Sequence, residues 1–353
     1  MYLNGIGTAA PPRRYTKLDC WEAFRHSDWF ERLSGRTRAL ARAVLLTENG
    51  MNSRRLAVDS LAEVFQIDPD TLQRRFLEAA PELAARAAAA ALDNAGVDAA
   101  DIDSIVVSTC TGYLCPGLSG YVMERLRLRP NIGAFDLVGQ GCAAAVPNMR
   151  LGQALVDSRR ERTNVLSVCV EVSSAAIYLD DDPGVLVSAC LFGDGAGAAV
   201  LSNEPSPGRR RILWQDSESL LDPGQRKALM FEQRSGMLRN VLTRPVPQLA
   251  AEYAERVLGT MLRRAQLDIS QISSWIIHAG GRDVLLALEE RLGIPPQELR
   301  YSASVLREYG NLSSAFVYFV LQAALAGGAA GGRWWLGTFG AGFSCHGALL
   351  QVD

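Results

Sequence analysis

The feature that most constrains the fold is a repeat carried by position rather than by residue identity. The β-branched run that starts at Ser104 has a counterpart in the apolar run that starts at Ser274, an offset of 170 residues. Cys142 and Asn311, each placed where a helix opens, are offset by 169. Two glycine-rich stretches, Phe192-Gly-Asp-Gly and Phe339-Gly-Ala-Gly, follow at an offset of 147, so the second copy is shorter between helix and loop. Strand and helix alternate in the same order in both stretches. This predicts two copies of a mixed α/β unit, joined near residues 203–211, where Pro205 and Pro207 break regular structure. The 353 residues are enough for two such units at roughly 150 residues each.

Within the first copy, an alanine-rich helix is expected over 69–95, a buried strand over 104–109 and a helix over 117–128. A strand over 133–137, a helix from Cys142 to about Arg159 and a strand over 164–170 complete it, ahead of a glycine loop over 192–197 and a strand over 198–201. The second copy reads as helices over 247–265, 284–292 and 312–325, with strands over 274–278, 333–337 and 344–352. A second glycine loop is expected over 339–342, and the first 68 residues show only mixed character.

Composition removes several classes of function. A formal charge of −2 offers no basic field for nucleic acid. Of the 36 basic residues only Lys17 and Lys227 are lysines, which leaves little for Schiff-base chemistry or a lysine-dependent phosphate loop. No apolar run reaches the ~18 residues of a membrane helix, and the start lacks a signal-peptide pattern, so a cytoplasmic protein is expected. The seven cysteines are scattered without CxxC pairs, which fits reduced thiols better than disulfides or structural zinc. Neither a metal site nor a Walker, HExxH or GxSxG motif is found, and Gly193-Asp-Gly-Ala-Gly197 lacks the spacing of a dinucleotide loop.

Three residues then carry the chemistry. Cys142 follows Gly139-Gln-Gly141 and opens a helix, where the dipole favours thiolate and turn amides can stabilise an oxyanion. On position alone it reads equally well as a small buried apolar residue. His278 ends a strand and precedes Ala279-Gly-Gly281, a placement typical of α/β sites, although a satisfied core histidine reads the same way. Asn311, in Gly310-Asn-Leu-Ser-Ser314, is either an N-cap or a neutral donor to an enolate oxygen.

Taken in order, Asp136-Leu-Val-Gly-Gln-Gly-Cys142-Ala-Ala-Ala, Trp275-Ile-Ile-His278-Ala-Gly-Gly, Tyr309-Gly-Asn311-Leu-Ser-Ser and the Phe-Gly-x-Gly stretches resemble the type III polyketide synthases, the chalcone and stilbene synthase superfamily. The resemblance is strong from about Ser104 to Asp353 and loose before it. It implies a thiolase-like α/β fold, a duplicated five-layered αβαβα architecture with an N-terminal half (1–205) carrying the cysteine and a C-terminal half (206–353) carrying the histidine and asparagine. It also implies iterative decarboxylative condensation of malonyl-CoA onto an acyl-CoA starter, with no cofactor beyond the CoA thioesters, in a homodimer. Cys142 is then the acyl-accepting nucleophile, with His278 and Asn311 as its partners. Phe192 matches an aromatic gatekeeper, and Cys110, Thr111, Cys115, Ala176 and Ser313 match cavity-lining positions.

The sequence departs from the plant pattern in places. Of three basic positions that hold CoA phosphates there, only Arg42 is retained, with Leu45 and Asn49 at the others, so Arg54, Arg55 or Arg282 would have to compensate. A second aromatic gatekeeper is missing around Gly236-Met-Leu-Arg-Asn240, and Ala341 stands where many members have proline. Small residues at Cys110 and Ala176 point to long acyl starters and an alkylpyrone or alkylresorcinol-type product. The rivals are a ketoacyl synthase III-like enzyme making one condensation with an acyl carrier protein donor, and a non-catalytic CoA-binding protein on the same fold. A hydroxymethylglutaryl-CoA synthase would need a glutamate such as Glu171, and a thiolase a second cysteine such as Cys345.

Overall fold

The computed structural model describes residues 1–353. Nine strands are hydrogen-bonded in the order Ile272–Ile277, Gly332–Gly340, Ser344–Val352, Ile212–Leu221, Tyr2–Ala9, Gly195–Ser202, Asn164–Glu171, Ser104–Ser108 and Gly133–Leu137. Two arms meet at one residue pair, Tyr2 opposite Leu213. Outward from that join, each arm repeats one pattern. Its first strand lies antiparallel to its last, the last antiparallel to the penultimate, and the penultimate parallel to the second. Only the first arm adds another strand, the parallel edge strand Gly133–Leu137.

Helices lie outside and between the arms. Pro69–Ala95 and Leu118–Leu126 pack on the first arm, and Val246–Ala265, with Arg282–Leu292 against it, covers the second. Ala145–Asp157 and Phe316–Ala326 touch strands of both arms and form the central layer of an αβαβα stack. Phe316–Ala326 is accordingly apolar nearly all round, as a helix buried on every side must be. The polar exception in the other central helix is Asn148. Its amide donates to the carbonyls of Val106 (3.2 Å) and Val168 (3.1 Å) and to Ser108 Oγ (2.8 Å), and accepts from Ser167 Oγ (2.7 Å). That network fixes the helix that follows Cys142 against two strands. The largest apolar cluster, 54 residues, draws on both arms, so the arms share one core.

The long helix follows its sequence signals closely. The Asp68 carboxylate caps Thr71 N at 2.9 Å, Pro69 occupies the first turn, and Gly96 closes it at φ 65°. Its alanines meet the strand Tyr2–Ala9, where a Cβ on Gly5 or Gly7 would lie 2.3 Å from Ala91 O or 2.2 Å from Ala87 O. The same glycines hide this central strand from a pattern-based reading. Other elements also differ from expectation. Strand Gly195–Ser202 absorbs half of the first expected glycine loop, and Gly332–Gly340 absorbs Phe339 and Gly340 of the second. Each central helix starts later than expected, because a separate tight turn, Gly141–Ala143 or Ser313–Ala315, precedes it. No helix is long and apolar enough to cross a membrane.

Candidate active site

The two tight turns bring the chemistry together. Gly141, at φ 56°, bends the chain so that Cys142 sits in the turn ahead of helix Ala145–Asp157 rather than in its first turn. Cys142 is 5% exposed. Ser313, in the opposing turn, adopts φ 51°, a strained conformation for a non-glycine residue. Its Oγ lies 3.1 Å from Cys142 Sγ, 3.2 Å from Cys110 Sγ and 3.3 Å from Glu171 Oε1.

The Cys142 thiol is held well below its ordinary pKa. The leading cause is a hydrogen bond from Cys110; burial opposes it, and His278 and Ser313 add to the lowering. Specific donors thus act on a thiol that stands just ahead of the helix N-terminus. Cys110 is pushed the other way, well above the ordinary thiol value, by that same hydrogen bond, by burial and by Glu171. The two sulfurs are thus pushed in opposite directions.

His278 follows strand Ile272–Ile277, and its backbone N–H extends the ladder to Gly337 O at 2.9 Å. Phe316 meets the ring edge-on, at 5.3 Å between centroids and 88°. Nδ1 is buried without a partner, so no carboxylate orients the imidazole from behind. Asn311 caps the turn from one end of its amide. Its Oδ1 accepts from Ser313 N at 2.8 Å, capping the turn, and this fixes Nδ2 on the other side, 3.2 Å from Gly280 O. A Cβ placed on Gly280 would lie 3.9 Å from Asn311 Nδ2 and 4.0 Å from His278 Nε2, so this glycine keeps the space beside both donors open.

Cys142, His278 and Asn311 all line one cavity of about 1120 Å³. Phe192 lines it too, and also borders a small pocket of about 30 Å³ behind it, where Ala176 lies. A third cavity, about 420 Å³, is bounded by Cys110 and Thr111 and by apolar side chains including Leu72, Phe76, Val138 and Leu238. Thr111 is largely engaged elsewhere, since its Oγ1 donates to Glu171 Oε2 and accepts from Val172 N, both at 2.9 Å.

Four residues singled out from sequence land differently from expectation. Cys115 is exposed and lines none of these three cavities. Arg42 is exposed and does not line the large cavity; Arg36, from the same helix Gly35–Leu46, does, with Arg244 and Arg282. Arg54 is buried and occupied by the carbonyls of Ala189 and Phe192, and Arg55 by those of Pro11 and Pro12.

Glu171, weighed from sequence only as the glutamate a rival enzyme would need, ends its strand inside the site. Its carboxylate accepts from Cys110 N (3.1 Å), Thr111 Oγ1 (2.9 Å) and Ser314 Oγ. Burial pushes its pKa up to about 7 against those hydrogen bonds. No local motif marks it; only the convergence of three loops does.

Residues 16–213 match the family described as FAE1/type III polyketide synthase-like protein, and residues 218–351 match the C-terminal domain of chalcone and stilbene synthases. The chain belongs to the type III polyketide synthase family. Members of this family are acyltransferases that perform decarboxylative Claisen condensation with malonyl-CoA, on acyl-CoA substrates and typically as dimers. Solved structures with the same fold include 1,3,6,8-tetrahydroxynaphthalene synthase of Streptomyces coelicolor A3(2), at 24% identity, 99% coverage of both chains and a TM-score of 0.88. PKS-I of the brown alga Ectocarpus siliculosus is similar at 24% identity, 99% and 98% coverage and a TM-score of 0.89. A type III pentaketide synthase of Neurospora crassa is similar at 23% identity, 100% and 99% coverage and a TM-score of 0.86.

Proposed function

We propose that this type III polyketide synthase uses Cys142 as nucleophile and His278 and Asn311 as enolate-stabilising donors, on two thiolase-like halves, 1–205 and 206–353. One observation carries the reading: a low-pKa thiol, an imidazole and an amide line one large cavity. The Cys142 thiol gives its proton to His278 and attacks the acyl-CoA carbonyl, and the CoA sulfur leaves with that proton returned from His278. Malonyl-CoA then loses CO2, and the electron pair passes to the thioester oxygen. His278 and Asn311 donate to that oxygen as its charge grows. The enolate carbon attacks the Cys142 thioester, the thiolate departs, and the chain gains two carbons. Repetition followed by ring closure gives the product, with no metal, flavin or nicotinamide involved.

Arg36, Arg244 and Arg282, at the large cavity, are the proposed partners of the CoA phosphates. The cavity behind Cys110 is of ligand size and mostly apolar in character, which supports a long acyl starter and an alkylpyrone or alkylresorcinol-type product. Ala176 supports it less, since it faces only the small pocket. We place the enzyme in the cytoplasm as a homodimer, taking its starter from CoA or from an acyl carrier protein.

The test incubates the protein with malonyl-CoA and acyl-CoA starters of rising length, with mass spectrometry of the products. Products bearing two or more added acetate units, favouring long starters and absent in Cys142→Ala, are expected. A single extension would move the assignment to a ketoacyl synthase III-like enzyme. Failure to form an acyl adduct on Cys142 with either donor would leave the non-catalytic reading.

A further inference from the structure

The hairpin formed by Leu229–Arg234 and Met237–Leu242 borders all three cavities, yet it pairs with no other strand. Asn240 faces the large cavity and the small pocket, Phe231 the small pocket and the cavity behind Cys110. A lone two-stranded ribbon is only marginally stable, so, beyond one backbone bond from Gly342 N to Leu229 O at 3.4 Å, side-chain docking holds its position. Arg239 supplies that docking. Its side chain is 10% exposed and meets three carboxylates: Asp180 Oδ2 at 2.7 Å from Nε, Glu232 Oε1 at 3.0 Å from Nη1 and Asp182 Oδ2 at 3.2 Å from Nη2. Glu232 stands directly opposite it in the hairpin ladder.

Asp182 belongs to a different element. Its other oxygen caps helix Pro183–Leu191 by accepting from Gly184 N at 2.8 Å, and that helix ends at Phe192. Two further contacts join the same pair of elements. Ser188 Oγ donates to Asn240 Oδ1 at 3.2 Å, and Gly184 lets the hairpin approach so closely that a Cβ there would lie 2.0 Å from Leu242 O. Arg239 thus ties the cavity wall to the helix that carries Phe192.

We propose that Arg239 is a positioning residue that fixes the hairpin against the Phe192 helix and thereby sets how many malonyl-CoA extensions the cavity admits. The inference rests on the proposed function. Without the guanidinium, three carboxylates face one another, with only the largely exposed Arg234 near Asp180, at 3.8 Å. Mutual repulsion then separates hairpin from helix. A lysine restores the charge but not the three-way fork, so it rescues in part.

The experiment compares wild type, Arg239→Gln, Arg239→Lys and Asp180→Asn by two measurements. One is the ratio of successive extension products made from one acyl-CoA starter; the other is amide hydrogen exchange. Arg239→Gln is expected to change that ratio by at least about twofold while Cys142 still accepts the acyl group. Exchange over residues 229–242 should quicken by about tenfold or more while strand Gly195–Ser202 stays protected. Arg239→Lys should fall between wild type and Arg239→Gln. Unchanged product ratios with unchanged exchange overturn the proposal, as does faster exchange without any change in product ratio. If Arg239→Gln fails to fold, Asp180→Asn, which removes one arm of the clamp, decides by the same two outcomes. A wild type that makes no extension product refutes the proposed function and this chain-length role with it. Exchange alone still shows whether the clamp holds the hairpin, which separates the two failures.

Discussion

The two arms of the sheet share a pairing pattern but contribute opposite chemistry to the site. Every acid comes from the first arm: Cys142 from its turn, Cys110 from the loop after Ser104–Ser108, and Glu171 from the end of Asn164–Glu171. The second arm contributes no acid, only His278 after Ile272–Ile277, then Asn311, Ser313 and Ser314 around its turn. The corresponding end of Gly332–Gly340 carries no charged residue where the first arm has Glu171. Duplication therefore supplies two frameworks facing one space, and divergence assigns one to charge and the other to stabilising it. The Cys142 thiol is lowered in part by His278 and Ser313 across the divide, and on the proposed function a developing enolate would meet donors from the second arm.

Breaking each arm separately gives the largest expected effects. Cys142→Ala should lower product formation by about a thousandfold or more, because the covalent step disappears. Asn311→Ala should cost about 10²–10³-fold in extension, as loss of one oxyanion donor does. It should leave acyl transfer to Cys142 intact, seen as an adduct mass on the whole protein. Loss of loading as well as extension in Asn311→Ala would erase the division of labour between the arms.

A smaller effect tests the first arm internally. The leading support for the Cys142 thiolate is Cys110, a residue of the same arm. Cys110→Ala should raise the Cys142 pKa, and with it slow alkylation of that thiol by iodoacetamide at pH 7 by about tenfold. His278→Ala, from the other arm, should slow it further. If alkylation of Cys142 depends on His278 alone, the thiolate is sustained entirely from across the divide.

Sequence and structure agree best where a local signal has one meaning. Asp68, Pro69 and Gly96 punctuate the long helix, and its expected bounds match those observed. Cys142, His278 and Asn311 are legible because glycine turns flank each, so a reactive side chain beside close backbone reads from a few residues. Strand Tyr2–Ala9 is not, because Gly5 and Gly7 make room for alanines 80 or more residues away in sequence. Ile212–Leu221 escapes as well, since its half-buried Asp216-Ser217-Glu218 stretch reads as solvent-exposed. Arg42 shows the limit of alignment without helix phase. It lies six residues from Arg36, about two-thirds of a turn round the helix, and only Arg36 reaches the cavity. Glu171 shows another limit: its environment is assembled from loops distant in sequence, and no spacing announces it.

The gentlest test concerns Glu171, the one carboxylate in this otherwise thiol-based arm of the site. Its folded-state pKa of about 7 lies above the ordinary 4.5, because burial outweighs the hydrogen bonds that favour its charge. Between those two values the folded protein keeps a proton that the unfolded chain has released, so stability falls as pH rises through that window. Below it both states are protonated and the penalty is absent; above it the penalty is complete, roughly 3 kcal/mol at about 1.36 kcal/mol per pKa unit. Glu171→Gln removes the titration while keeping one oxygen, which can accept from Ser314 at the Oε1 position or from Thr111 at the Oε2 position. Urea unfolding at pH 8 should show the variant gaining on wild type relative to pH 5, by up to about 3 kcal/mol less the cost of any hydrogen bond lost. A difference between the two proteins that does not change with pH would mean that Glu171 titrates at its ordinary value in the folded state. The negative charge of the first arm would then be shared between carboxylate and thiolate rather than concentrated on Cys142.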